Sequence, residues 1–412
     1  MRLNNYHKAL IVIAVGIFFT NLPQYVYEAR GFTKLDSPKH WVLMFCLLAL
    51  PVFIRQMLRS NVLKSPVMIW CFGYGALSVL WFFLSAQSET SWAEVRMRFL
   101  AIIEIVAFLM VFCAPAATTL TRKALLAALV LAVAVNIYES FAPMSFSQVL
   151  GRSAGLYSNP NMSAEALVLG MVLSVSILKS QYRTPFVLLV GIGVFLTVSR
   201  GGILAWAVAV AGLLFTREIS SKDVVRSGFI AFVLVVLVLL PRWDQLVGTW
   251  ERTGVLNVNV MERLAWLTDP AGVSDHSSWE RKYVAKQAWE KITEHPVLGT
   301  GTGSSYEAYT GTHNQYLALM IDHGIIGIVI VPLFILAVTR GARGQSRRIA
   351  TVFGFTIIVL SFFSHTIFYT SYNLVMFSLM AAITATSRDG EGRLTVAMAR
   401  PEPETTQVLA ET

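Results

Sequence analysis

The sequence predicts an all-α polytopic membrane protein with about twelve transmembrane helices and one large loop between the ninth and the tenth. Of its 412 residues, 55% are hydrophobic and only 14% are charged, whereas about 25% of a typical soluble domain is charged. The mean hydropathy is +0.60. Apolar runs close to the ~20 residues that cross a bilayer recur from one end of the chain to the other.

The predicted spans make up one membrane domain, residues 1–387, which includes a long polar segment at 242–312. We expect the first span to be retained, because no small-residue cleavage site clearly follows it. The tail at 388–412 is charged and contains Pro401 and Pro403, which favours disorder. The predicted spans lie near 9–27, 40–57, 66–86, 99–116, 124–140, 164–180, 184–199, 201–216, 226–241, 313–339, 348–367 and 371–387.

The three cysteines, Cys46, Cys71 and Cys113, all lie inside predicted spans. They form neither a disulfide framework nor a CxxC metal pattern, so they say nothing about the redox compartment.

A net charge of +9 would also suit a nucleic-acid-binding protein, but the distribution of the basic residues favours a topological role. If the N-terminus is cytoplasmic, most of the 33 Lys and Arg residues fall in cytoplasmic segments and few fall in short outer loops. Short loops obey this positive-inside bias, whereas long loops do not. The sequence therefore predicts cytoplasmic N- and C-termini, an outer segment 242–312, and no nucleic-acid partner.

Segment 242–312 contains one predicted amphipathic helix, at 279–293, which ends at His295-Pro296. A glycine-rich turn, Gly299-Thr-Gly301-Thr-Gly303, then leads into the tenth span. The apolar positions that predict the helix are Val284, Ala285, Ala288, Trp289 and Ile292.

Three arginines on the outer side are candidates for binding an anion. Arg152 precedes a turn-rich stretch that ends at Asn161, Arg200 lies in a tight connection between two spans, and Arg281 opens the helix of the long segment. A guanidinium is always charged and offers a planar fork of donors that suits phosphate. Each arginine also has an alternative explanation without a function in binding. Arg152 could contact lipid headgroups or cap a helix, and Arg200 could lie in the outer turn without any function. Arg281 could belong to a solvated basic helix face.

His313 is the candidate general base, because it stands at the N-terminus of the tenth span. The partial positive charge there disfavours imidazolium, and a neutral imidazole can accept a proton. A histidine that caps the helix or bonds a loop carbonyl explains the position equally well. Asn314, Asn161 and Asp322 are candidate supporting residues, with His323 as a further buried polar partner of the bundle.

The remaining features of the pattern favour structural roles. Gly324 and Gly327 permit close helix packing, whereas Glu104 is an acid deep inside a span whose partner the sequence does not identify. No metal or cofactor is expected, because the outer segments lack the close carboxylate or histidine pairs that divalent cations usually need.

The pattern His-[Asn/Ser]-x9-Gly-x-x-[Gly/Thr] matches His313, Asn314, Gly324 and Gly327 without a gap, and it resembles the O-antigen ligase/polymerase superfamily of bacterial envelopes. The number of spans, the long loop between the ninth and tenth, and the settings of Arg152, Arg200 and Arg281 are also similar to that family. The resemblance implies a GT-C-like glycosyltransferase of the Gram-negative inner membrane, with the long loop and the active site in the periplasm.

The resemblance further implies a metal-independent, inverting reaction that transfers a polysaccharide from undecaprenyl diphosphate to lipid A–core oligosaccharide. In that reaction His313 would be the base, and Arg152, Arg200 and Arg281 would hold the diphosphate. Three alternatives stay open: an O-antigen polymerase, a protein O-oligosaccharyltransferase of the same superfamily, and, from a different class, a twelve-span transporter. The transporter is disfavoured because the chain shows no evident repeated halves.

Overall fold

The computed structural model of the protein describes residues 3–29, 31, 37–57, 61–85, 87–268, 276–306 and 311–398. Throughout these ranges the regular structure is helical and contains no strand, as the sequence predicts. The helices are α1 (Asn5–Ile13), α2 (Leu22–Ala29), α3 (Pro38–Met57), α4 (Pro66–Leu84), α5 (Glu89–Phe112), α6 (Pro115–Phe141), α7 (Pro160–Ser174), α8 (Ser180–Leu196), α9 (Arg200–Phe215), α10 (Ser221–Leu239), α11 (Trp243–Arg252), α12 (Val258–Thr268), α13 (His276–Glu294), α14 (Gln315–His323), α15 (Gly327–Thr339), α16 (Gly344–Leu360) and α17 (Ser371–Met398).

Each predicted span overlaps at least one of these helices. Among the described residues, five helical segments are long and apolar enough to cross a membrane, and a sixth joins them if the bent pair Asn5–Phe19 and Leu22–Glu28 is one span. The five are Pro38–Met57, Pro66–Leu84, Pro115–Phe141, Pro160–Ile177 and Gln315–Thr339. The count of twelve crossings and the outer position of 242–312 remain predictions.

Large apolar side chains face outward from the helices, as in a protein surrounded by lipid. Leu47 on α3 is 64% exposed, and Phe72 and Phe83 on α4 are 67% and 66% exposed. Water would penalise apolar surface exposed on this scale, whereas lipid tails do not. The outward faces of these helices are therefore suited to hydrocarbon.

Helix α7 forms the centre of the bundle. Every residue from Ser163 to Ser174 is buried, and α6, α8, α9, α16 and α17 all pack around it. Its first turn, at Pro160 and Asn161, therefore stands at one end of the bundle with its position fixed by packing on all sides.

Several helix boundaries differ from the predicted spans. Helix α6 begins at Pro115, nine residues before the predicted 124, and α16 ends at Leu360, seven residues before the predicted 367. Helix α5 begins at Glu89, ten residues before the predicted span, because Ser88 caps it and its first turns are polar. Helix α17 continues to Met398, so it includes the start of the segment predicted as a disordered tail; the first proline after residue 387 is Pro401. Residues 399–412 of that predicted tail lie outside the described residues.

In the described part of segment 242–312, namely 242–268, 276–306 and 311–312, there are three α-helices, α11 to α13, where the sequence predicted one. The predicted helix at 279–293 is confirmed as α13, and its end before His295-Pro296 is confirmed as well. Val284, Ala288 and Ile292 are buried, as expected for an amphipathic helix. Trp289 was expected on the same face, but it is 56% exposed, because a position one residue after Ala288 is turned about 100° around the helix axis.

Candidate functional site

The first turn of α7 holds Arg152 in place. Asn159 caps this helix by accepting the N–H of Asn161 at 2.8 Å. The Asn161 side-chain oxygen in turn accepts a hydrogen bond of 3.0 Å from a terminal nitrogen of Arg152, whose Nε donates to the Thr197 carbonyl at 3.0 Å. Arg152 is only 6% exposed, so its guanidinium joins α7 to the turn after α8.

A buried carboxylate, Glu139, orders the loop that carries Arg152. Its Oε2 accepts the N–H groups of Ala154 at 2.8 Å and Gly155 at 2.9 Å, while Oε1 accepts those of Phe146 and Ser147. A buried carboxylate needs this many donors to offset its loss of water. The loop conformation between α6 and α7 therefore depends on one side chain at the end of α6.

Arg200 is the first residue of α9. The two residues after it must be glycine, because a side chain at either position would collide with its neighbours. A Cβ on Gly202 would lie 2.4 Å from the Ala164 Cβ on α7, and a Cβ on Gly201 would lie 2.7 Å from Phe363. Val198, just before the turn, has a φ of 47°, which is strained for a β-branched residue. Close packing thus fixes the point from which Arg200 extends, and its guanidinium lies 5.9 Å from the ring centre of Trp266 on α12.

Arg263 is a fourth arginine at this site, and it was not among the candidates that the sequence predicts. It lies three residues before Trp266, so both side chains project from the same face of α12. Asn259 accepts a hydrogen bond of 2.6 Å from its Nε. No motif marks Arg263 among the basic residues of 242–312; only the packing of α12 beside Arg200 identifies it.

His313 lines a cavity of about 190 Å³ that also brings together Arg281, Asn161, Glu165 and the turn around Arg200. Its φ of 50° turns the chain sharply before α14, a conformation that histidine tolerates better than most residues. Asn314 is the N-cap of α14 and accepts the N–H groups of Tyr316 at 2.9 Å and Leu317 at 3.2 Å. Because Asn314 is the N-cap residue, the imidazole of His313 is left for another role.

A second histidine, His365, stands beside His313 in the same cavity. The two rings meet edge to face, with centroids 5.3 Å apart and planes at 85°. A Cβ on Gly311 would lie 2.2 Å from His365 Nε2, so the ring rests directly on the backbone that leads to His313. The sequence does not predict this role, since nothing in Ser364-His365-Thr366 indicates that the histidine meets a residue fifty positions earlier.

Positive charge and burial act together on the ionisation of these groups. Burial lowers the pKa of His313 and nearby Arg281 lowers it further, which favours the neutral imidazole. Burial, then Arg263, Arg281 and Arg200, lowers the pKa of Arg152 to about 9. Burial, Arg200 and Arg281 likewise lower the pKa of Arg263 to about 10. The guanidiniums remain charged at neutral pH, so these shifts report a mutual repulsion that an anion would relieve.

Asp322, predicted as a supporting residue, lies in a different buried network. It pairs with Arg98 at 2.5 Å and accepts the N–H groups of Gly303 at 3.2 Å and Ser305 at 3.0 Å. Arg98 also pairs with Glu94 at 2.8 Å and contacts His323 at 2.7 Å. The structure thus assigns Asp322 contacts that fix the end of segment 242–312 to α14 and α5.

The two glycines of the motif, Gly324 and Gly327, lie where the tenth predicted span is interrupted and where two backbone segments pack closely against each other. Gly324 has a φ of 62°, and a Cβ there would lie 2.3 Å from the Val297 carbonyl oxygen. A Cβ on Gly327 would lie 2.1 Å from the Leu319 carbonyl oxygen. At both positions the backbone of another segment lies too close for a side chain.

Together, the fold and the site define a class: an all-helical membrane protein with a buried basic cavity and a neutral imidazole beside it. The cavity is suited to an anion, and the imidazole is suited to accepting a proton. Within the described residues, no group of three or more His, Cys, Asp or Glu side chains is arranged to hold a metal ion. A metal-free site remains a prediction.

Comparison with known families finds one match. Residues 185–332 match the family model described as O-antigen ligase, so this part of the chain is similar to that family. The matched range contains Arg200, Arg263, Arg281 and His313. The matched family implies a glycosyltransferase-like activity of the ligase/polymerase type, with a polyprenyl-linked glycan as donor and a membrane environment. No curated protein matches the chain.

Proposed function

We propose that the protein is an O-antigen ligase that transfers a polysaccharide from undecaprenyl diphosphate to lipid A–core oligosaccharide. The observation that carries this proposal is the cavity that His313 shares with Arg281, beside the turn of Arg200. A base and several guanidiniums at one place are what a transfer from a diphosphate requires, because a proton must leave the acceptor and negative charge must build up on the leaving group.

The proposed reaction is a single displacement. His313 takes the proton of an acceptor sugar hydroxyl, and that oxygen attacks the anomeric carbon of the donor sugar. The bond from this carbon to the diphosphate oxygen breaks, and its electron pair leaves with undecaprenyl diphosphate. Attack from the face opposite the diphosphate inverts the anomeric carbon, and His313 later returns its proton to solvent.

The four arginines take different parts in this proposal. Arg200, Arg281 and Arg263 contact the diphosphate and stabilise the charge that develops on it. Arg152 is buried against Asn161 and Thr197, so it holds α7 and the Arg200 turn together. Its positive charge attracts the diphosphate without contacting it. Because diphosphate is already a good leaving group, electrostatic stabilisation and one base suffice without a metal.

The proposed orientation follows the positive-inside rule. Both termini lie in the cytoplasm, segment 242–312 lies in the periplasm, and donor and acceptor reach the cavity from the outer half of the inner membrane. Both substrates are anchored in lipid, so the cavity has to open sideways to the bilayer.

Deleting the protein from its host and examining where polymer accumulates tests the function directly. Loss of a ligase leaves full-length polymer on undecaprenyl diphosphate, whereas loss of a polymerase leaves single repeat units. Loss of a protein O-oligosaccharyltransferase removes glycan from periplasmic proteins and leaves lipopolysaccharide unchanged. The second or third outcome would replace the ligase assignment, and complementation with His313→Ala is the matched negative control.

A further inference from the structure

A groove of about 690 Å³ lies along α13, next to the basic cavity. This volume is in the range of about 300–1,000 Å³ that is usual for ligand sites. At two places in the chain, one residue lines the groove and the residue after it lines the basic cavity. Glu280 and Thr312 line the groove, while Arg281 and His313 line the basic cavity. The groove and the basic cavity are therefore neighbours at these two places in the chain.

One face of α13 provides most of the groove. Trp279, Tyr283, Gln287, Lys291 and Glu294 recur every three or four residues and all line it. From Trp279 to Glu294 this face is about 22 Å long, because an α-helix rises about 1.5 Å per residue. An extended chain of several sugar rings fits that length better than a compact molecule.

The groove contains groups that are suited to sugars. The rings of Trp279 and Tyr283 stack with centroids 5.4 Å apart and planes at 7°, and they are 61% and 50% exposed. A flat aromatic surface of this kind packs against the C–H face of a pyranose. Gln287 donates a hydrogen bond of 2.9 Å to the Tyr283 hydroxyl, which leaves the Tyr283 proton and the Gln287 carbonyl oxygen for sugar hydroxyls.

The groove and the surroundings of the cavity differ in charge. Arg281 lines the cavity and Arg200 extends from the turn beside it, although Glu165 lines the cavity as well. Glu280, Glu290 and Glu294 line the groove with a single cation, Lys291, among its described residues. A diphosphate is repelled from this surface and attracted to the arginines beside it. A ligand made of a diphosphate and an uncharged glycan would therefore place its diphosphate in the cavity and its glycan in the groove.

We propose that the groove along α13 binds the glycan of the donor, with sugars beyond the one attached to the diphosphate stacked on Trp279 and Tyr283. This inference rests on the proposed function. The donor is the occupant because it carries a diphosphate and a glycan in one covalent chain, in the order in which the cavity and the groove adjoin.

The test compares two donors: undecaprenyl diphosphate carrying the full polysaccharide and undecaprenyl diphosphate carrying a single sugar. Trp279→Ala and Tyr283→Ala raise the KM for the polysaccharide donor roughly tenfold, as expected when an aromatic contact is lost, and leave its kcat unchanged. Neither substitution changes the KM for the single-sugar donor. Trp289→Ala is the matched control, since it removes an exposed tryptophan of the same helix that does not line the groove.

Three results in Trp279→Ala and Tyr283→Ala would overturn the groove assignment. The KM for the polysaccharide donor could stay unchanged, or the KM could rise equally for both donors. The third result is a rise in the KM for the acceptor and not for the donor. A wild-type protein that transfers from neither donor would refute the proposed function and not the groove. Saturation-transfer NMR with polysaccharide released from the host's lipopolysaccharide then tests the groove by itself. Binding lost in Trp279→Ala and kept in Trp289→Ala supports it, and equal binding in all three proteins refutes it.

Discussion

Replacing Asp322 with alanine should destabilise the protein while leaving its chemistry intact. Asp322 lies in the span that follows His313, so a supporting role in the reaction and a structural role are both conceivable from the sequence. In the structure its carboxylate accepts hydrogen bonds from Arg98 and from the N–H groups of Gly303 and Ser305. All these contacts hold the end of segment 242–312 against the bundle.

The magnitude follows from what Asp322→Ala leaves behind. Arg98 is 1% exposed, and removing one partner of a buried ion pair typically costs about 3–5 kcal/mol. Glu94 still holds the Arg98 Nε at 2.8 Å, which reduces the loss. Two buried N–H groups lose their acceptor, at about 1–3 kcal/mol each. We therefore expect a destabilisation of at least about 3–5 kcal/mol, because the two unpaired N–H groups add to the cost of the broken pair and offset what Glu94 retains.

The assay measures thermal unfolding of the detergent-purified protein, together with the transfer rate per folded molecule. Lys286→Ala is the control, because it removes an exposed ion pair with Glu290 of 3.9 Å, worth at most about 0.5 kcal/mol. Asp322→Ala should unfold at a clearly lower temperature and keep most of its rate. An unchanged unfolding temperature with lost transfer would refute the structural assignment and make Asp322 part of the chemistry.

The remaining predictions concern the site itself. His313→Ala should reach the membrane but transfer about 10²–10⁴-fold more slowly, since a general base contributes that much; full activity would remove the base assignment. Arg200→Lys should impair transfer about tenfold or more, because a point charge does not replace a planar fork, and wild-type donor binding would contradict this role. Since the pKa of His313 is lowered, activity should persist at neutral pH and fall only as the pH drops through that lowered value. Arg281→Gln should raise the pKa of His313, so the loss of activity at acidic pH should begin at a higher pH than in the wild type. Arg281→Lys keeps the positive charge and should leave the pH profile unchanged. An unchanged pH profile in Arg281→Gln would contradict the electrostatic argument. Transfer should survive exhaustive chelation, and a loss that one added cation restores would establish a metal requirement.

The sequence was most informative where a local pattern decides the structure. Apolar runs predicted where apolar helices form, because burial in lipid acts on each helix separately. The end of α13 was predicted to within one residue, since Pro296 prevents its continuation, whereas its start lies three residues before the predicted one. The start of α5 was missed because its first turns are polar, although the capping residue Ser88 was visible in the sequence.

Contacts between distant segments could not be predicted from the sequence. His365 meets His313, Arg98 meets Asp322, and Arg263 lies beside Arg200 only because the helices pack in one particular arrangement. No spacing in the chain encodes those pairings. His313 and Arg281, in contrast, could be proposed from the sequence. His313 lies where the polar segment meets the tenth predicted span, and Arg281 lies near the start of the helix predicted at 279–293.

The repulsion within the arginine cluster also has a kinetic consequence. Burial, and then Arg263, Arg281 and Arg200, lower the pKa of Arg152 to about 9, as expected where several positive charges stand close together. In the proposed reaction, the undecaprenyl diphosphate that leaves carries the same diphosphate group that these charges attract on arrival. Spent lipid should therefore be a strong product inhibitor, and the rate in the cell should depend on how quickly recycling removes it from the membrane.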